Sequence, residues 1–554
     1  MKNIKNYSLS AILLLLLAGL SSAAFERSPA GRTFYLDAES GIDRNSGKTP
    51  EKAWRSLARL NDIELKPGDR ILLRKGSRFE GSLVVRGVKG SSEQPITIST
   101  YGSGDLPAFV EAEGKLQAIL LENCSHIVVR NLSLTASKSP SDTTITQEAA
   151  MRCGVLLRAT STENMEGIYL SNLSIRNLFF EHAGFSRPKG EVRSANGTQN
   201  YGWGIRVIND SKGAVIRDLA IDSCRIENVG HTGIKLTSTQ RDGYGITGFR
   251  ISGNRVERTG GPGIQMSRVK NGHIYGNTVD RSGSNDDSRK WGRGSGLWTW
   301  GSEHVLIEHN RFTNANGPGD SAGAHIDFNC SNIVLQYNFS MNNAGGFCEI
   351  LGNNHNCAYR YNISVNDGHR IKGVDGAFQE GKIFWLSAYS GKDRIGAVNS
   401  YFYNNTMYVR DEIQAKVAID RLSDGVLIAN NIFHIEGPAK AVKGDQYNPE
   451  RESSVNMDRV DFMNNLFLHQ NSWPKEQRLQ DLRPLFGDAG FRNPEGQELA
   501  DFTPTNAELI GNRGIQIRPL PGDSIGLLQG LRLERDILGN PIRGLPDLGA
   551  IEIQ

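Results

Sequence analysis

One phrase recurs along this chain: a short alternating strand, then Asn, then another short strand. It reads HIVVRNLSL, GIYLSNLSI, GFRISGNRV, NGHIYGNTV, HVLIEHNRF, NIVLQYNFS, CAYRYNISV, YFYNNTMYV, GVLIANNIF and VDFMNNLFL. The Asn positions are Asn131, Asn172, Asn254, Asn277, Asn310, Asn338, Asn362, Asn405, Asn431 and Asn465, with gaps mostly of 23 to 34 residues. A fixed period of this length marks a repeat architecture. A second phrase precedes the first in several repeats: WGIRV, TGIKL, PGIQM, SGLWTW, AGAHIDF and GGFCEIL. Strands this short, bounded by Gly and Asn, cannot bury their apolar sides alone and must stack on neighbouring coils. The pattern predicts an all-β solenoid of parallel strands, one repeat per coil, with the Asn stacked as a ladder at an inward turn.

Length adds little to this, because 554 residues would ordinarily mean two to four domains but make one elongated body in a solenoid. At the start of the chain, Lys2 and Lys5 precede an apolar run from Ala11 to Leu20, and Ser22 and Ala24 suit a signal-peptidase site. Residues 1–24 are therefore read as a leader. The protein is expected to be secreted, whether periplasmic, extracellular or held at the cell surface. No later segment approaches 18 consecutive apolar residues, so no membrane span is expected. Net charge is +3 and falls to +1 once Lys2 and Lys5 leave, too little to gather nucleic acid. Six cysteines without CxxC spacing read as buried thiols rather than a disulfide scaffold. A monomer is expected.

The chain resembles secreted right-handed parallel β-helix proteins of the pectin-lyase-like superfamily. Its opening, FYLDAESGIDRNSGKTPEKAWRSLARLND with LKPGDRILLRKGSRFEG and QPITISTYG, looks like the first coils of many carbohydrate-active members. LRPLFGDAGF, DFTPTNAELIGNRG and DILGNPIRGLPDLGAIEIQ are similar to their closing segment. The resemblance implies an N-terminal cap with first coils over 25–115, repeats over 116–470, and an irregular segment packing on the helix over 471–554. Within PEKAWRSLARL, Trp54, Leu57 and Leu60 share one helical face behind Pro50, which predicts a helix plugging the open end.

Aligning the second phrase places side chains in rows on the outer face of one sheet, with coils about 4.8 Å apart. One row is Arg206, Lys235, Gln265, Trp298, His325 and Glu349; the next is Ile208, Thr237, Ser267, Trp300, Asp327 and Leu351. Asp327 and Glu349 are then offset by one coil and two residues, about 8 Å, within the window that admits a water between acid and base in an inverting glycosidase. His325 stands beside them to orient or tune the pair. Charged residues on an outer face also serve solubility alone, but Trp298 and Trp300 share this face, and indole suits the apolar side of a sugar ring. Catalytic candidates are Glu349, Asp327 and His325; substrate candidates are Lys235, Arg206, His231, Trp298, Trp300 and Trp291.

Three polar insertions flank the region: SKSPSDTTITQEAAMR, SRPKGEVRSANGTQN and SGSNDDSRKWGRG. Loops on a repeat scaffold build binding walls. The third carries Asp286 and Asp287 beside Arg289, Lys290, Trp291 and Arg293, a mixture suited to an anionic glycan or to Ca²⁺. No other cofactor is implied. The sequence supports a polysaccharide-degrading glycoside hydrolase. Lyase action on uronate glycans through Lys235, Arg206 and His231 is the alternative, and a non-catalytic glycan-binding adhesin would use the same aromatics. The paired Asp motifs of polygalacturonases are missing, and GHRIKG at Gly368–Gly373 echoes two of their pieces run together, a match ascribed to chance.

Overall fold

Short strands end where the backbone turns left-handed, and that alternation bends every repeat into a coil. The residue just before the inner Asn has positive φ in coil after coil, as at Gly253, Gly276, His309, Tyr337, Tyr361 and Asn404. Where that residue is aromatic, rings of successive coils meet, with His309 stacked on Tyr337 at 5.1 Å between centroids. The computed structural model describes residues 31–112, 115–136, 152–178, 202–240, 243–283, 293–391, 393–420, 422–423, 425–442, 460–476 and 479–553. The expected leader, Trp291, Asp286 and Asp287 lie outside the described residues, as do almost all of the three insertions.

Among the described residues the strands fall into three sheets of 14, 12 and 14 members. The 12-stranded sheet includes Trp203–Asn209, Ile234–Ser238, Ile264–Ser267, Leu297–Trp300, Ala324–Ile326 and Gly346–Ile350 as successive neighbours, all parallel. Glycine recurs before these strands because the coils close tightly there. A Cβ added at Gly204, Gly233, Gly263 or Gly296 would collide with the carbonyl of the corresponding glycine one coil on. Inward positions such as Ile205, Val207, Leu236, Met266, Leu297, Ile326 and Ile350 are fully buried in one continuous core. Each contributes about 2 kcal/mol by leaving water. All six cysteines are free and buried.

The Asn ladder runs from Asn254 through Asn277, Asn310, Asn338, Asn362, Asn405 and Asn431 to Asn465, where Asp481 takes the last bond. Each rung is bonded twice: the Asn310 backbone N–H and its Nδ2 both donate to Asn338 Oδ1 at 3.0 Å. Asn131 and Asn172 do not belong to it. Each occupies the positive-φ position one residue earlier, they bond one another at 2.8 Å near the surface, and Leu132 and Leu173 take the inner place. Asn338→Ala removes the acceptor of two buried donors, so a loss of about 2–4 kcal/mol is expected in denaturant unfolding. Asn131→Gly, which keeps the left-handed backbone accessible, should cost only about 1 kcal/mol, roughly the range of a single hydrogen bond.

The expected N-terminal helix is not present. Pro50–Lys52 and Leu57–Asp62 are two short 3₁₀ turns, and between them Trp54 pairs with Leu36 as a strand would. The Trp54 N–H donates to Tyr35 O at 2.9 Å and its carbonyl accepts from Asp37 at 2.8 Å, while Asp43 holds the N–H groups of Arg55 and Ser56 at 2.8 and 2.9 Å. Pairing to the edge strand outcompetes helix continuation. Trp54, Leu57 and Leu60 still bury against the first coil. At the other end, the irregular chain after Phe486 packs on the two 14-stranded sheets, where Tyr403 Oη donates to Leu531 O at 2.7 Å and Phe339, Ile363 and Tyr408 bury Phe502 and Ile551. The site lies on the third sheet. Among the described residues no helix is long and apolar enough to cross a membrane.

Candidate functional site

Backbone pairing joins Arg206 to Lys235, Lys235 to Gln265, Gln265 to Trp298, and Trp298 to His325. Pairing of Ile326 with Ile350 places Glu349 beside His325, and Glu349 pairs in turn with Trp385. Because the alternating neighbours Ile205, Leu236, Met266, Leu297, Ile326 and Ile350 lie in the core, this row points away from it. Thr237, Ser267 and Trp300 follow in the second row, and the Asp327 N–H donates to Thr299 O to continue it.

His325, Asp327, Glu349 and Trp298 therefore share one neighbourhood, with the His325 ring 5.4 Å from that of Trp298. Trp300 stands at its edge, against Phe328 at 5.8 Å and under the Arg268 guanidinium at 5.2 Å. Lys235 and Arg206 lie three or more coils away along the row. His231 is fully buried against Trp203 at 5.0 Å, and its Nδ1 meets Thr232 Oγ1 at 2.8 Å. The row is deeply recessed: His325, Asp327 and Glu349 are only 3%, 6% and 7% exposed.

Recession governs their charges. Burial raises Asp327 to about 8, with nearby Asp320 adding to the rise and the Phe328 N–H, at 2.9 Å from Oδ1, opposing it. Glu349 is likewise pushed up by burial and by Asp320 and Asp327, against the pull of Lys382. His325 is lowered to about 4 by burial, Asp320 acting against that and Arg293 with it; its Nδ1 lies 3.1 Å from Ser295 Oγ. Burial pushes Asp327 and Glu349 in the same direction, toward the protonated form.

Asp320 has the other state. Burial pushes it up too, but Arg293, with Arg370 behind it, holds it below the ordinary carboxylate range. The Arg293 guanidinium meets it at 3.0 Å, both side chains being nearly inaccessible. Arg370 fixes the loop beneath it, donating to the carbonyls of Gly317 and Asp320 at 3.0 and 2.9 Å. Lys382 lies 3.9 Å over the Trp385 ring and completes the surroundings of Glu349. Sequence patterning missed Asp320 because it precedes the strand Ala324–Ile326, outside the alternation that defines the rows. Its loop setting, NGPGD seven residues before Asp327, was the available signal. Arg370 belongs to GHRIKG, the stretch set aside as a chance match, and here it builds the site. Among the described residues no group of three His, Cys, Asp or Glu is arranged to hold a metal ion.

Stacked parallel coils carrying these rows make a parallel β-helix solenoid, a fold shared with solved right-handed β-helix structures. Residues 203–383, which carry every described site residue from Trp203 to Lys382, match the family described as a right handed beta helix region. A lacto-N-biosidase from Bifidobacterium longum subsp. longum is 25% identical over 94% of this chain and 36% of its own. The chain thus spans about a third of the length of that curated relative. The crystal structure of a GH136 lacto-N-biosidase from Eubacterium ramulus superposes with a TM-score of 0.54 at 22% identity, covering 71% of this chain and 66% of that one. An alginate lyase of family PL6 superposes at 0.48 with 14% identity, covering 87% of this chain and 59% of its own.

Proposed function

We propose that this protein is a carbohydrate-active enzyme, and specifically a glycoside hydrolase acting in the recess of the 12-stranded sheet. The observation that carries the reading is the different setting of two neighbouring carboxyls: Asp320 meets the Arg293 guanidinium at 3.0 Å, whereas Asp327 is buried and accepts only the Phe328 N–H at 2.9 Å among the hydrogen bonds of its carboxyl to described residues, which favours a charged Asp320 and a protonated Asp327. Glycoside hydrolysis needs one carboxylic acid to protonate the leaving oxygen and one carboxylate opposite it, and environments that push two carboxyls apart assign those roles. Asp327 gives its proton to the glycosidic oxygen as the bond to the anomeric carbon breaks. With inversion of configuration Asp320 takes the proton of the water whose hydroxyl joins the anomeric carbon, and that proton returns to Asp327 through solvent; with retention Asp320 forms the bond to the anomeric carbon, and water then displaces it, giving its hydroxyl to the carbon and its proton to Asp327. Glu349, protonated and next in the row, donates a hydrogen bond to the sugar; neutral His325 and Trp298 shape its pocket. The names of the two lacto-N-biosidases support the same class.

A second reading rests on Lys235, which burial, and then Arg206, holds well below the ordinary ammonium range. A neutral lysine beside an arginine suits proton abstraction next to a uronate carboxylate. Export through residues 1–24, a monomeric state and the division at 115 and 470 are part of the proposal. The deciding experiment is mass spectrometry of digests of neutral and uronate-rich glycans. Products gaining one water are expected, whereas an unsaturated uronate at the new end would replace the hydrolase reading by the lyase one. A pure binder would retain glycan and release no new reducing ends.

A further inference from the structure

At its upstream end the outward row changes character. The two preceding members are Leu120 and Leu156, packed with Cys153, Trp203 and Ile208 in a small apolar cluster. The fold therefore asks for nothing ionic at this position. Yet the next two members are Arg206 and Lys235, each 4% exposed and on adjacent strands. Among the described residues neither forms an ion pair with a carboxylate. Arg206 Nη1 donates to Thr237 Oγ1 at 2.7 Å, and its guanidinium lies 5.8 Å from the Trp203 ring, but its buried Nε has no partner. Nor do the buried indole N–H groups of Trp203 and Trp298, or Gln265 Oε1 between them. Burying basic groups without a carboxylate partner is costly, and apolar residues would be the stabler choice. Two neighbouring basic side chains in one outward row and a line of unmet polar atoms beside them point to a ligand that completes them.

We propose that Arg206 and Lys235 form a subsite for the acid group of a charged sugar, a carboxylate or a sulfate ester, on a glycan lying across the sheet. It deepens the hydrolase reading by naming its substrate class as acidic. Lys235 stands three to four coils from the His325 and Glu349 positions, about 14–19 Å at the spacing of parallel strands. That separation calls for an oligosaccharide with its charge remote from the cleaved bond. Arg206 offers a fork to two oxygens, Lys235 a point charge and the Trp203 indole a third donor, the donor set that recognises an oxyanion. An arriving anion also restores the ammonium form that burial disfavours at Lys235.

Binding is measured on Asp327→Asn protein, so that turnover does not intervene, using matched probes: tetragalacturonate and its carboxyl-reduced form, and a heparin-derived tetrasaccharide and its desulfated form. At least one acidic probe is expected to bind about 10- to 100-fold more tightly than its neutral partner, the range of charge-assisted bonds, and the preferred pair tells carboxylate from sulfate. Adding Lys235→Met should bring the preference to within about 3-fold while leaving the melting temperature unchanged or higher, since an apolar side chain replaces a buried amine that has no carboxylate partner among the described residues. As a check that needs no variant, the acidic probe should lose affinity with added salt and its neutral partner should not. Equal or absent binding of both acidic probes overturns the subsite, as does a preference that survives Lys235→Met. Charge preference together with unsaturated products from the wild-type protein would retain the subsite and remove the hydrolase reading; water-adding cleavage without charge preference would do the reverse.

Discussion

Asp320→Asn is expected to lower kcat/KM for glycan cleavage by about 100- to 10,000-fold, the usual contribution of a positioned acid/base group, and to weaken the fold at the same time. The second effect separates it from Asp327→Asn. Asp320 is the ionised partner of Arg293 in a site neither can leave for water, and removing one member of a buried pair costs about 3–5 kcal/mol. Burial holds the Asp327 proton up to about 8, so an amide of nearly the same shape replaces it with no loss of stability at neutral pH. Both variants should lose activity, but only the Asp320 variant should show a large drop in the midpoint of denaturant unfolding. Glu349→Gln is expected to fall between the parent and these two, through weakened sugar binding and a raised KM. An Asp320→Asn protein that cleaves at the parental rate would remove the carboxylate from the mechanism.

The coils were legible because their cause is local and repeated. Glycine before each strand, alternation within it and an Asn at the turn are each imposed by contact with the next coil, so ten imperfect copies of one phrase reinforce one reading. The same repetition set the register, and with it the adjacency of His325, Asp327 and Glu349. Two features escaped for the opposite reason. The edge at Trp54 has no second copy to compare, and a helical spacing of apolar residues there serves a pair of tight turns instead. Asn131 and Asn172 sit one residue out of phase, a shift that a motif tolerates but an inward ladder does not. In the site, alternation identifies which face a residue takes but not how deep that face lies. Depth decides charge: an open surface favours ionised Asp327 and Glu349, whereas burial favours their protonated forms, and Asp320, the carboxylate held charged beside them, sits in a loop whose sequence follows no period.

The pH dependence of stability reports that depth directly, and the sign is fixed by where Asp327 holds its proton. In the unfolded chain it titrates near 3.8, and burial in the native state moves this to about 8. Between these limits the native protein binds one proton more than the unfolded chain, so stability falls as pH rises, by about 1.4 kcal/mol per unit. Below 3.8 both states are protonated and above 8 both are ionised, so the slope vanishes at either end. His325 works against it over part of the range. It stays neutral in the native protein down to about 4 and takes up a proton near 6.5 when unfolded, which makes stability rise with pH between those values. The informative quantity is therefore the difference between the parent and Asp327→Asn, in which His325 largely cancels. That difference should be small near pH 4, grow in favour of the variant through neutrality, and level off above about 8; the accompanying relief of Glu349, which Asp327 also raises, acts in the same direction. Over the same range kcat/KM of the parent should hold steady through neutrality and decline above about 8 as the acid loses its proton. A difference in stability that does not change with pH would mean that Asp327 is ionised in the folded protein, leaving it no proton to give.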